Sequence, residues 1–568
     1  MTEEAALTPL VIGVTSHRNI PAGEIDPIRQ RVRELFAQLQ REFPQLPLIV
    51  LSALAEGGDQ LVAQEAVAAG IRVVAPLPLP RAIYAQDFCD DAARQTFAAL
   101  CAQAHVIELP LLPGHTAQEV ERNGVERDRQ YAQAGVFIAR HCHLLLAIWD
   151  GRESDRLGGT AQVVQYYLHG VMPGLIERRR GARRWLSGHG DARPIFHAVC
   201  SRDAPDGTPA QPLCSGQAFW RTAGTMSSAD AALPEDLHET LSRAAQFNAD
   251  ARKYCERIAG AAADPVERDA APALAALFRS ADWLALHFQK RVLLAMRITY
   301  SVAALMGIAF AIYDNLTAAD SFIYVFLVLF AVGVTISTIA RRRAWHRKYL
   351  DYRALAEGLR VQAYWRRAGI SLTDDPEFAQ DSLLQKQDVE LTWVRNTMRS
   401  AGLQRFPGDP RERDARLQSA IRDWVGDDLS GQLGYYRAKA LMHERRHRIN
   451  EWIDAVSLYA AILISIVLAA LAFRLSADTK NLLIVSMAVF SVSGAVREAY
   501  AFRKADKELI KQYRFMRRLF ADARAALARA SDAMEQREIL RALGEAALAE
   551  HTEWAVMHRQ RPLEHGRI

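Results

Sequence analysis

The chain lacks what several protein classes require. Six cysteines among 568 residues are too few for a disulfide scaffold, and Cys89, Cys101, Cys142, Cys200, Cys214 and Cys255 show no C-x-x-C spacing. They read as free, buried thiols in a reducing compartment. Thirty-two glycines exclude a collagen repeat, and a hydrophobic fraction of 50% excludes disorder. A large excess of charge of one sign is also lacking: Lys+Arg 70 against Asp+Glu 65 leaves a formal net charge of only +5. Met1–Thr8 has Glu3 and Glu4 where a secretory signal needs basic residues, and no long apolar run follows. The expectation is that no signal peptide is present and that the first 290 residues are cytosolic. Length argues for two to four domains. A mean hydropathy of -0.08 suits a soluble protein, but that average hides two kinds of sequence.

Four windows contain no Asp, Glu, Lys or Arg: Ile298–Tyr313, Ser321–Ala340, Ala455–Phe473 and Asn481–Val496. A bilayer core needs about 20 apolar residues per helix, with roughly 17 as the lower end. The second and third windows meet this. The first meets it, back to Val292, if Arg297 snorkels toward the headgroups. The fourth needs flanking residues or tilt. Asp314–Asp320 joins the first pair and Arg474–Lys480 the second; each connection is seven residues long, so two antiparallel hairpins are expected. Buried core helices are the alternative, and strongly basic flanks weigh against it.

Those flanks set an orientation. Lys290, Arg291 and Arg297 precede the first hairpin, and Arg341, Arg342, Arg343, Arg347 and Lys348 follow it. Arg445, Arg446 and Arg448 precede the second, and Arg497, Arg503, Lys504 and Lys507 follow it. The two turns hold only Arg474 and Lys480. The positive-inside bias predicts a multi-pass protein of the inner (cytoplasmic) membrane with both termini cytoplasmic. Apolar residues at helical spacing predict cytoplasmic helices over Tyr349–Ala368 and Ala521–Met557. The order "two spans, then helix" therefore occurs twice, which suggests an internal duplication. Phe406–Asp414 is a Pro/Gly/charge break between the copies.

Residues 9 to about 200 alternate strand-like and helix-like segments. Strands are predicted at Pro9–Val14, Leu48–Leu54, Ile71–Pro76, His143–Trp149 and Ile195–Cys200, with helices over Ile28–Phe43 and Asp59–Ala69. This alternation predicts a doubly wound α/β sheet, whose ligands bind beyond the carboxyl ends of the strands. After the first strand come Gly13, Val14, Thr15, Ser16, His17 and Arg18, which offer close backbone approach, hydroxyls and a cation to an anion. After the second, Glu56, Gly57, Gly58 and Asp59 open a helix. After the fourth come Asp150 and Gly151, and then Gly158, Gly159 and Thr160 open another helix. Glycines before Thr at a helix N-terminus expose backbone N–H groups to phosphate. One such loop is an ordinary turn. Three at strand ends point to a nucleotide-like ligand, with simple turns as the alternative.

The segments GVTSHR, LSALAEGGDQLVAQEA, RVVAPLPLPRAIYAQDF and HLLLAIWDG…GGTAQVV resemble the SLOG superfamily over roughly residues 9–200. That Rossmann-like group includes DNA-processing protein A and the LOG phosphoribohydrolases. The second half resembles SLATT domains, two-span effectors fused to such sensors. The likeness rests on the paired hairpins, YRALAEGLR from Tyr352 followed by Trp365, and the terminal LGEAALAEHTEW with HRQRPLEH. The resemblance implies a SLOG-like nucleotide-binding domain over 1–215 and a helical linker over 216–290. A first two-span module with its cytoplasmic helix follows over 291–400, then a linker with a pre-membrane helix over 401–450, and a second module with C-terminal helices over 451–568. It implies a prokaryotic conflict (anti-phage) effector in which a nucleotide-derived signal triggers membrane permeabilisation. No cofactor is required, the partners are that small molecule and the lipid bilayer, and a homo-oligomer is expected because four spans enclose little pore. Hydrolase members resemble PGGxGTxxE, whose Glu takes part in catalysis. Here Val163 stands three residues after Thr160, which argues for binding rather than phosphoribohydrolase chemistry. Glu56 and Asp59 remain acid/base candidates, so the alternative is a membrane-anchored nucleotide-processing hydrolase.

Other patterns carry less. His141 and His143 share a strand face around Cys142, but no third metal ligand is evident. Arg178, Arg179, Arg180, Arg183 and Arg184 form a solvated run that anionic lipid or ligand could also use. Without interleaved aromatics beyond Trp185, nucleic acid is not expected as a partner. A solute transporter is disfavoured by the lack of acidic residues deep in the windows.

Overall fold

The computed structural model describes residues 7–176, 193–230, 232–268, 270–316, 320–370, 391–403, 412–471 and 473–559. The chain divides into two compact units. The first comprises Met1–Gly260, Ala271–Leu277 and Ser371–Pro407; the second comprises Ala261–Ala270, Phe278–Ile370 and Gly408–Ile568.

The first unit is built on one eight-stranded sheet: β1 (Leu10–Ser16), β2 (Leu48–Leu51), β3 (Arg72–Leu77), β4 (His105–Glu108), β5 (Leu144–Trp149), β6 (Ile195–Val199), β7 (Ala218–Arg221) and β8 (Met226–Ser228). Their order is β4-β3-β2-β1-β5-β6-β7-β8. The first six are parallel, while β7 and β8 are antiparallel additions at one edge. The central strands LVIGVTS, LIVL and LLLAIW are almost wholly buried, as continuous apolar strands in a parallel sheet should be. Three strands differ from the sequence expectation. β4, β7 and β8 are only four, four and three residues long. The last two carry the sheet past residue 215 into the stretch expected to be a helical linker.

Helices α1 (Ala22–Glu42), α2 (Gly58–Ala68), α3 (Asp91–Gln103), α4 (Val125–His141), α5 (Thr160–His169) and α6 (Glu235–Lys253) accompany the sheet. α1 buries Ile28, Val32, Leu35, Phe36 and Leu39, a stripe at three- and four-residue spacing. Glu65 of α2 is tied to it by Arg29 at 2.5 Å and Arg33 at 2.6 Å. The helix Thr392–Ala401 also belongs here rather than to a two-span module. Its Trp393 packs against Phe247 of α6, with ring centroids 5.7 Å apart. The Asn396 carbonyl oxygen lies 2.7 Å from His143 Nε2.

The second unit is helical: α7 (Pro272–Asn315, whose first turns belong to the other unit), α8 (Phe322–Arg342), α9 (Trp345–Arg367), α10 (Gly431–Ala470), α11 (Ala477–Arg503), α12 (Asp506–Arg529) and α13 (Ala533–Arg559). Among the described residues, four helices are long and apolar enough to cross a membrane: α7, α8, α10 and the stretch that begins with α11. Their apolar side chains face outward. α8 buries no residue, and Tyr324 and Val328 are 70% and 63% exposed. Contiguous apolar surface on this scale marks a lipid or protein contact. Phe310 of α7 meets Phe326 of α8 at 6.1 Å, and Tyr300 meets Tyr500 of α11 at 5.6 Å. Ser465 and Asp454 of α10 lie 3.0 Å from Met487 Sδ and 3.1 Å from Arg497 Nε of α11.

Two alanines share an unusual backbone. Ala344 between α8 and α9 has φ 47° and ψ 40°, and Ala505 between α11 and α12 has φ 53° and ψ 40°. Each stands between an apolar helix and the helix that follows it, so the order of two apolar helices and then a further helix occurs twice in the second unit. The region expected as an amphipathic cytoplasmic helix, α9, is instead buried over most of its surface. Three of its charges are tolerated because they pair. Arg353 and Arg360 contact Glu357 at 2.5 and 2.7 Å, and both approach Asp282 at 3.3 and 3.6 Å. Burial alone would raise the Glu357 carboxyl, but the two guanidinium groups pull it down to about 2. Trp365 donates to the Leu540 carbonyl at 3.0 Å, and a Cβ on Gly544 would fall within its indole.

Candidate functional site

The strand order reverses between β1 and β5. Helical connections leave the sheet in opposite directions at such a switch point, so a crevice opens beyond the carboxyl ends of the two strands. His17 follows β1 and Asp150 follows β5. They meet there: His17 Nε2 lies 3.2 Å from Asp150 Oδ1 and 3.3 Å from the Asp150 backbone nitrogen. Burial lowers the imidazole's pKa, Asp150 opposes this, and Arg202 adds to it. The ring is therefore held toward its neutral form. Asp150 is itself buried, receives the Arg152 N–H at 3.0 Å and pairs with Arg202 Nε at 2.7 Å.

A second pair stands beside the first. Ser16 Oγ donates to Asp59 Oδ1 at 2.6 Å. Asp59 is only 5% exposed, and burial raises its pKa to about 6 against the pull of Ser16 and Arg18. Thr160 Oγ1 donates to the Ser16 carbonyl at 2.8 Å, which fastens the start of α5 to the end of β1. Arg18 is exposed, and its guanidinium lies 5.4 Å from the centroid of the Tyr131 ring.

The glycines divide by role. Gly57 has φ +87°, and a Cβ there would fall on the Arg18 carbonyl oxygen. The Gly58 N–H donates to the His17 carbonyl at 3.2 Å, and a Cβ on Gly58 would stand 2.6 Å from Ser16 Cβ. This glycine pair admits the β1–α1 loop across the start of α2. One N–H expected to cradle phosphate is spent inside the fold. Gly158, with φ +74°, lies against α4, where a Cβ would come within 2.8 Å of the Ala132 nitrogen. Gly151, with φ +78°, turns the chain beside Leu213. Gly159 caps α5 in an extended conformation.

The structure thus brings Ser16, His17, Arg18, Gly57, Gly58, Asp59, Asp150 and Thr160 together. Other candidates sit apart. Gly13 lies inside β1, where its missing side chain makes room for Cys142 and Ile138. Thr15 is also a strand residue, registered against Ala147 and buried. Glu56 accepts the Cys89 N–H at 3.2 Å instead of joining Asp59. Sequence reading missed Arg202 and Tyr131. Arg202 follows the carboxyl end of β6, the one parallel strand end next to the crevice not read as a loop of interest.

The His141–Cys142–His143 cluster is structural. His143 Nδ1 accepts the Val11 N–H at 3.2 Å while its Nε2–H donates to Asn396 O, and His141 Nδ1 lies 2.8 Å from Phe137 O. Burial lowers the His143 pKa to about 3. No metal-binding group of three or more His, Cys, Asp or Glu side chains occurs among the described residues. All six cysteines are free; Cys101, Cys142 and Cys200 are buried, and the other three are exposed, contrary to the buried expectation. The Arg178–Arg184 run lies outside the described residues. No family model matches the chain, and neither does any curated protein.

Proposed function

We propose that the first unit binds a nucleotide-derived anion at the β1/β5 crevice and that this binding controls a membrane-embedded helical effector. The observation that carries the reading is the convergence of Ser16, His17, Asp59, Asp150 and Thr160 on the sheet's switch point. Arg18, exposed at its edge, supplies the cation a phosphate would need. The resemblance to SLOG sensors and SLATT effectors assigns the rest: a prokaryotic conflict-system effector that permeabilises the membrane on receiving its signal. The two pairs of apolar helices are transmembrane hairpins, with both termini on the cytoplasmic side of the inner membrane, where the basic flanks gather. Four spans enclose little lumen, so the active form is a homo-oligomer. Ligand acts by biasing a two-state equilibrium of the helices. The test is full-length protein in dye-loaded liposomes, titrated with ADP-ribose and cyclic nucleotides. Nucleotide-dependent leakage that Arg18→Ala and Asp150→Ala abolish supports the reading; leakage unaffected by any nucleotide or by both variants removes it.

A membrane-anchored hydrolase is the second reading, and Asp59 is the observation that favours it. A carboxyl with a pKa near 6, hydrogen-bonded to a hydroxyl, is suited to proton transfer at neutral pH. Product formation by the full chain, lost in Asp59→Asn with binding retained, would select it; binding without turnover would exclude it.

A further inference from the structure

A second cleft lies wholly within the helical unit. It is a cavity of about 360 Å³ bounded by α7, α9, α10, α12 and α13. A smaller cavity of about 150 Å³ shares His443, Arg446 and Lys504 with it and continues along α10 to Ile449 and Asn450, toward the uncharged window that begins at Ala455. The pair of cavities therefore runs from a charged interior to the edge of the apolar helices.

The charge inside this cleft is one-sided. Arg353 and Arg360 are engaged by Glu357 and Asp282, so that cluster is balanced. The remaining charged walls are Arg297, Lys439 and Arg446 with one acid, Glu550, and beside them Arg503 and Lys504, which also hold partners of their own. Two imidazoles complete the polar lining. His551 Nε2 and His346 Nδ1 are buried without a hydrogen-bond partner among the described residues. His551 is stacked on Trp554, with centroids 5.1 Å apart, so its ring is held in place by packing. Buried polar nitrogens without partners are uncommon in folded proteins and call for a water or ligand. Tyr349, Trp424 and Trp554 supply apolar wall.

We propose that this cleft binds an anionic phosphate group carried on an apolar body, at a site separate from the β1/β5 crevice. The cations meet the phosphate, the aromatic walls meet the adjoining apolar atoms, and the opening along α10 admits a chain that continues beside the apolar helix. Two sources present this chemistry: the headgroup of an anionic phospholipid and a soluble phosphate compound. The lining of this cleft is the same whatever occupies the α/β unit.

The test uses the full chain in a non-ionic detergent without added nucleotide, with binding read by native mass spectrometry. The probes are dioleoyl phosphatidylglycerol, dioleoyl phosphatidylcholine and inorganic pyrophosphate. Phosphatidylglycerol should be retained about tenfold more than phosphatidylcholine, and Arg446→Gln with Lys504→Gln should weaken it by about tenfold. Ala547→Trp, which fills the cleft without altering charge, should do the same. Arg341→Gln with Arg342→Gln, which removes equal charge outside the cleft, should leave binding within about twofold. Pyrophosphate binding without phosphatidylglycerol binding, sensitive to the same cleft variants, assigns a soluble source and supports the site. Absence of binding by both anionic probes overturns the proposal. So does equal loss in the cleft and control variants, or retention in Ala547→Trp.

Discussion

Replacing Asp59 with Asn should make the protein more stable near neutral pH while damaging its site. The carboxyl is 5% exposed, and its pKa rises from 3.8 to about 6 on folding because burial disfavours its charge. About two pKa units correspond to roughly 3 kcal/mol. The sign follows from proton counts. Between about pH 4 and pH 6 the folded chain holds a proton that the unfolded chain has released. This group therefore costs stability progressively as pH rises through that window, and the full cost stands above pH 6. Asparagine cannot ionise, and its amide oxygen can still accept the Ser16 hydroxyl that now donates at 2.6 Å. Its amide hydrogens need new partners, so a net gain of about 1–2 kcal/mol at pH 7.5 is expected. The assay is thermal unfolding of full-length wild type and variant in detergent, followed by intrinsic fluorescence from pH 5 to pH 8. The midpoint of the variant should lie above wild type at pH 7.5, with the gap closing toward pH 5. A gap that is independent of pH, or a variant less stable at pH 7.5, would refute the reasoning. A stabilised variant that no longer binds nucleotide would mark Asp59 as a residue kept for function at a cost in stability.

Three further outcomes follow from backbone and charge. Gly57→Ala should destabilise by at least about 1–3 kcal/mol from positive-φ strain alone, and a Cβ meeting the Arg18 carbonyl should displace the β1–α1 loop; reduced thermal stability with weakened nucleotide binding checks it. Glu357→Gln removes the carboxylate that Arg353 and Arg360 share most closely and leaves them Asp282 and, for Arg360, the more distant Asp264, so a loss of about 3–5 kcal/mol is expected in urea unfolding of the full chain. In wild type this carboxylate's contribution is present above its ordinary pKa and fades as pH falls toward about 2. Ala344→Gly and Ala505→Gly should each be neutral to stabilising by up to about 1 kcal/mol, since glycine adopts positive φ without the Cβ penalty; Ala→Val at either position should lower the unfolding midpoint.

The central strands were legible because burial on both faces writes them as continuous apolar runs, as in LLLAIW of β5. β4 and β8 escaped because His105 and Glu108 of one, and all three residues of the other, are exposed at the sheet edges and leave no such run. Strand-end loops were legible as a cluster, since the topology places them side by side. The division of labour among their glycines was not, because whether a glycine serves a ligand or a neighbouring backbone depends on the crossing chain. At Gly57 that chain is the Arg18 carbonyl, and at Gly13 it is the Cys142 side chain, 129 residues away in sequence. α9 looked amphipathic because its charges are spaced as on a wet helix; their partners lie on the same helix, on α7, on α13 and at Asp264 and Asp423, where no local pattern reveals them.

The two ends of the sheet have a consequence for crowding. An open strand edge is a template for pairing with another molecule. Residence in a membrane would confine copies of the chain to a plane, raising their local concentration and the hazard with it. β4 offers four residues on one side, and β8 offers only Met226, Ser227 and Ser228 on the other. Such short, exposed borders give little to zip onto. Edge-to-edge pairing, which would lead toward aggregation, is thereby discouraged at the sheet.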